Sequence, residues 1–84
     1  MVYYLIICRS LTYAQRTAHV LERAGIPGYV LRAPKVISKE GCGYCVRIAE
    51  RRLTDALVVL RREGLAPKQV FLQSADGEYS EVKA

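Results

Sequence analysis

Two different hydrophobic periods alternate along this chain. Residues 3–9 open with an unbroken apolar run, Tyr3-Tyr4-Leu5-Ile6-Ile7-Cys8, closed by Arg9. A short continuous run of β-branched and aromatic residues predicts a strand at the centre of a sheet. The period then lengthens. Ala14, Ala18, Leu21 and Gly25 share one side, with Gln15, Arg16, His19, Glu22 and Arg23 mostly on the other. That is an amphipathic helix ended by Gly25, with Pro27 beyond. Ser10 and Thr12 both offer N-caps, and Thr12 with Gln15 has the form of a capping box.

The second half repeats the scheme. Residues 28–33 predict a second strand stopped near Pro34, followed by a polar connection, Ser38-Lys39-Glu40-Gly41. Residues 44–48 alternate as a third strand, with Tyr44, Val46 and Ile48 on one face and Cys45 and Arg47 on the other. Leu53, Ala56, Leu57 and Leu60 mark a second helix that ends at Gly64. Residues 69–73 predict a fourth strand, and Asp76-Gly77 is a turn signal able to return a short fifth strand over 79–82. The order β-α-β-β-α-β predicts an α+β, ferredoxin-like two-layer sandwich, with two helices on one face of an antiparallel sheet.

Length then bounds the answer. Eighty-four residues, 51% of them hydrophobic, make one expected domain over 1–84, near the lower limit for a self-sufficient core. The first strand is apolar on both faces: Tyr3, Leu5 and Ile7 on one, Tyr4, Ile6 and Cys8 on the other. Such a face is usually hidden, so a homodimer or a covered second face is expected, the alternative being a 79–82 tail folded back over it. The apolar N-terminus has no positive lead and is far too short to span a bilayer.

Three cysteines are an odd number and too few for a disulfide scaffold, which points to a reducing cytoplasm. A net charge of +5 suits an anionic partner such as nucleic acid or an acidic protein. The arginines are spread over several segments, however, and an ordinary solvated surface explains them as well. Arg51, Arg52, Arg61 and Arg62 read the same way on the second helix. The third strand also lacks the aromatic, Gly-rich pattern of an RNA-recognition sheet.

The candidate chemistry lies in Cys42-Gly43-Tyr44-Cys45. This Cys-x-x-Cys spacing fits redox, sulfur-transfer or metal chemistry. In the expected topology the first strand ends where the third begins. Cys8 and Arg9 then lie beside the loop carrying Cys42, close to the start of the first helix. All three cysteines could gather there, with Arg9 or Arg47 and the helix N-terminus favouring a thiolate. Gly41 and Gly43 permit a tight backbone around Cys42.

A disulfide between Cys42 and Cys45 needs a turn. Extended residues three apart are separated by about 10 Å, whereas a disulfide needs Cα atoms within about 7 Å. Val46-Arg47-Ile48 reads as strand, which counts against a thioredoxin-type motif that opens a helix. A zinc site needs about four ligands; Cys8, Cys42 and Cys45 give three, and His19, the lone histidine, falls on a polar helix face. A metal site across two copies stays open. No phosphate loop, catalytic triad or paired-carboxylate site stands out.

The opening Tyr3-Tyr4-Leu5-Ile6-Ile7 with Ser10, the helix end Ala24-Gly25-Ile26-Pro27, Pro34, the Cys42-Gly43 step and the close at Glu63-Gly64 resemble a family of small bacterial proteins described as selenium/sulfur carrier-like. The resemblance covers roughly residues 3–73 and rests on the order of elements more than on one motif. It implies that Cys42 is the carrier residue, holding a persulfide or selenopersulfide between a donor and an acceptor protein. Cys45 is not a fixed part of the family's pattern, so it either resolves a bound persulfide or is incidental; on the expected topology Cys8, Arg9, Arg47, Gly41 and Gly43 would support the site. Group carriage of this kind is not classical enzyme turnover and needs no cofactor beyond the covalently carried atom. The competing readings are a non-catalytic module that binds RNA or an acidic protein, and a Cys-x-x-Cys metal site.

Overall fold

The computed structural model describes residues 2–37 and 43–82. In chain order these form β1 (Tyr3–Cys8), α1 (Leu11–Arg23), β2 (Tyr29–Arg32), β3 (Tyr44–Ala49), a 3-10 turn (Glu50–Arg52), α2 (Leu53–Arg62), β4 (Val70–Gln73) and β5 (Tyr79–Val82). The strands make one antiparallel sheet in the order β2-β3-β1-β4-β5. The apolar run of β1 is central, as its composition demands. The architecture is α+β, consistent with a ferredoxin-like sandwich.

Each helix is started or stopped by a few residues. Ser10 caps α1: its backbone is extended and its Oγ accepts from the Tyr13 N–H at 3.1 Å. Thr12 already lies inside the helix, so the Thr12–Gln15 capping box does not form. Ser10, the last extended residue before the helix, reaches the free N–H first.

Both helices end alike. Gly25 has φ +81 and Gly64 has φ +72, the left-handed conformation that costs a Cβ-bearing residue most. Ile26 N–H then donates to Leu21 O at 2.9 Å and Leu65 N–H to Leu60 O at 2.7 Å. Gly25 and Gly64 N–H bond the carbonyls of Glu22 and Arg61, completing two Schellman motifs. In each motif the apolar pair, Ile26 with Leu21 and Leu65 with Leu60, is buried.

The two sheet faces close differently. On the helix side, Ile6 and Cys8 of β1, Val46 and Ile48 of β3 and Val70 of β4 pack on Ala14 and Leu21 of α1 and Ala56 and Leu60 of α2. Gly28 lets the start of β2 approach this layer; a Cβ there would meet Val46 Cγ1 at 2.9 Å. On the other side, Leu5 and Cys45 are buried with Ala33 and Ile37, and Ile7, Leu31, Phe71 and Tyr79 pack at the margins.

The second face is therefore covered at its centre by the segment that follows β2. The tail does not fold back over it. Residues 79–82 instead satisfy the edge of β4 as β5, and only the Tyr79 ring joins that cluster. The Asp76 carboxylate fixes the connecting turn, accepting from the Ser74 hydroxyl and from the Glu78 N–H. With Leu5 and Cys45 covered inside one chain, the case for a homodimer loses the apolar centre it rested on.

Candidate functional site

The end of the sheet where β1 stops and β3 starts collects most of the residues singled out in the sequence. Cys8 is registered opposite Tyr44. Ala33 N–H donates to Gly43 O at 2.6 Å, extending the β2–β3 ladder past Arg32 and Tyr44. Arg9, Ser10 and the start of α1 follow Cys8 directly. Gly41 and Cys42 lie outside the described residues; the described chain resumes at Gly43, at this end.

Cys8 and Cys45 do not gather there into one cluster. Side chains alternate along a strand, and the register settles their parity. Cys8 pairs with Tyr44 and Cys45 with Ile7, so the two thiols point to opposite faces of the sheet. Cys8 belongs to the helix-side core, 1% exposed, and its thiol donates to Ile6 O at 3.6 Å. Cys45 is 0% exposed, under Ala33 and Ile37.

Their protonation follows from burial. Burial raises the Cys8 thiol, offset in part by the Thr17 hydroxyl, which lies near without a well-aligned hydrogen bond of its own. Burial pushes the Cys45 thiol up to about 11; Cys8 adds to the rise and Arg47 pulls against it. Both are protonated near neutrality and poor nucleophiles. Thr17 escaped the sequence reading because a threonine in a helix looks like a surface residue. Its place three residues after Ala14 and four before Leu21 was the available signal.

The arginines divide between the two ends of the sheet. Arg9 stays at the Cys8 end, exposed, its guanidinium 4.9 Å from the Tyr13 ring centre. Arg32 joins it there, 5.6 Å from the Tyr44 ring. Sequence reasoning missed Arg32, since only the β2–β3 register brings it opposite Tyr44. Arg47 lies about 10 Å further along β3, at ~3.3 Å per residue. It sits 4.5 Å from the Tyr3 ring and 5.6 Å from the Tyr29 ring. Arg47 therefore acts on Cys45, where burial outweighs it, and belongs to the far end of the sheet.

Other chemistry can be placed against this geometry. Cys45 lies in a strand, which removes the helix start that a thioredoxin-type motif uses. Cys8 and Cys45, on opposite faces, do not converge on one ion. Among the described residues no three His, Cys, Asp or Glu side chains form a metal-holding group, and His19 is exposed. No helix among the described residues is long and apolar enough to cross a membrane.

No curated protein and no solved structure matches the chain. A family model does, over residues 3–72, which takes in β1 through most of β4 and the whole thiol end of the sheet. By that match the chain belongs to the family described as "Putative Se/S carrier protein-like".

Proposed function

We propose that the protein is a covalent carrier of sulfane sulfur or selenium and that Cys42 is the carrying residue. The observation that supports this most is the state of the other two thiols. Cys8 and Cys45 are buried on opposite faces, with raised pKa values. In a family described by Se/S carriage, Cys42 remains for the role.

The chemistry is a transfer between thiols. The Cys42 thiolate attacks the terminal sulfur of a donor persulfide, forms Cys42–S–S⁻ and frees the donor thiolate. A thiolate of the acceptor protein then attacks that outer sulfur, and Cys42 leaves as thiolate. Each step breaks one S–S bond and forms one, so no outside oxidant or reductant is needed. Selenium follows the same course as a selenopersulfide. The guanidinium groups of Arg9 and Arg32 and the start of α1 give this end of the sheet positive charge, which favours the anion.

Cys45 has a narrower part than its spacing implied. To resolve the persulfide it must leave its cover of Ala33 and Ile37 and lose a proton held to about pH 11. Release to an acceptor is accordingly the main route. Loading the protein with a persulfide donor and mapping the added mass tests the assignment. The added sulfur is expected on Cys42, with none on a Cys42→Ser variant. A Cys42→Ser protein that loads normally would overturn it.

A further inference from the structure

The far end of the sheet carries a feature that sulfur carriage does not use. A cleft of about 310 Å³ opens there, lined by Tyr3, Pro27, Tyr29, Arg47, Ile48, Ala49, Arg51 and Arg52. Among the described residues three arginines line it and no carboxylate does. A folded chain rarely concentrates like charges without a counter-charge, because they repel.

Two of these arginines are held in place while keeping donor capacity. Arg47 is clamped between the Tyr3 and Tyr29 rings, on the strand between theirs, and its Nε is buried without a hydrogen-bond partner. Arg52 donates from Nη2 to Gly25 O at 3.1 Å, and its Nε is likewise buried and unpartnered. Buried N–H groups without acceptors are costly and uncommon. A ligand carrying several acceptor oxygens and negative charge would complement the guanidinium groups that line the cleft. Planar guanidinium groups suit phosphate in particular.

Tyr29 adds the second element. It is 58% exposed, large for an aromatic ring, and forms one wall of the cleft. The Arg47 guanidinium lies 5.6 Å from that ring's centre, and the exposed remainder of the ring is aromatic surface open for stacking. The volume is at the lower end of small-ligand pockets. Nearby carboxylates temper the field: Glu22 lines the adjoining cleft with Gly25 and Tyr29, and Glu50 is exposed on the 3-10 turn. Neither lines the arginine cleft.

We infer that this cleft is a binding site for a small phosphate monoester bearing a planar aromatic group, of the mononucleotide class. Arg47, Arg51 and Arg52 take the phosphate and Tyr29 stacks on the ring. The inference is independent of the carrier reading, because none of its residues is a cysteine and the cleft lies at the end of β3 away from Gly43.

The test is an NMR titration of the isotope-labelled full chain with a 5′-mononucleotide, its nucleoside, inorganic phosphate and a single-stranded oligonucleotide without terminal phosphates. The mononucleotide is expected to give saturable shifts at Tyr29, Arg47, Arg51 and Arg52, and to bind more tightly than phosphate or nucleoside. Exposed Arg51→Gln should weaken it about tenfold, the loss of one charge-assisted hydrogen bond. Tyr29→Leu should weaken the mononucleotide while leaving phosphate unchanged. Cys42→Ser should leave every affinity unchanged. The inference fails if millimolar mononucleotide gives no saturable shift in the cleft. It also fails if the oligonucleotide alone binds, or if shifts spread equally to Arg61 and Arg62 and are insensitive to Arg51→Gln.

Discussion

The same strands present two faces, and each face hides one cysteine under a cover of different strength. Cys8 lies beneath two helices, in a layer shared with Ile6, Val46, Leu21 and Leu60. Cys45 lies beneath a short segment represented by Ala33 and Ile37, whose neighbour Val36 is 73% exposed. Helices that are part of the main core open only with the whole protein. A segment with few buried contacts can open locally, at lower cost. Equal burial of the two thiols therefore does not mean equal protection. Cys8 is guarded by global stability, Cys45 by the hold of one segment.

The sharpest way to break the first cover is Leu60→Ala. It removes a fully buried side chain from between α2 and the sheet and should cost about 2–5 kcal/mol, read as a lower denaturation midpoint. Cys8 and Cys45 should then both become more reactive toward a thiol reagent. Gly28→Ala strains the same layer by overpacking. Its new methyl would meet Val46 Cγ1 at 2.9 Å, and a loss of about 1–3 kcal/mol is expected by the same measurement.

Ile37→Ala acts on the other cover. Its effect on global stability should be smaller, about 1–2 kcal/mol, because the segment packs on one side only. Mass mapping after timed alkylation should show Cys45 modified faster and Cys8 unchanged. Parallel acceleration of both would mean that the two covers open together.

A further effect is read from pH. The Cys45 thiol rises from 9.0 to about 11 in the fold, so the unfolded chain loses that proton first. The stabilisation linked to the protonated thiol is fully present below about pH 9 and is lost as pH rises through about 11. A Cys45→Ala variant should show a shallower decline in denaturation midpoint across this window. An unchanged slope would remove Cys45 as its source.

Much of the sheet could be read from period alone. The continuous run of β1 marked it as central, and alternation in β3 set Tyr44, Val46 and Ile48 against Cys45 and Arg47, as their packing shows. Gly25 and Gly64 stop the helices where a left-handed residue is needed. The site was less legible, for a reason of parity. Sequence spacing told that Cys8 and Cys45 share one end of the sheet, but the face each occupies depends on pairing register. A one-residue difference in register separates a cluster from two isolated thiols. Arg32 and the Arg47–Tyr29 contact were hidden for the same reason, since both are cross-strand relations. The cover over Cys45 came from residues 33–37, a stretch whose Pro34 reads as the end of a strand rather than as part of a core.

One experiment bears most directly on the carrier assignment. A Cys8→Ala, Cys45→Ala double variant retains Cys42 alone among the three cysteines. Once shown to be folded, it is loaded from a persulfide donor and its mass measured before and after exposure to an acceptor thiol. Carriage by Cys42 predicts one added sulfur per chain at the wild-type rate, removed in full by the acceptor. A folded variant that takes up no sulfur, or holds it against the acceptor, would contradict the account.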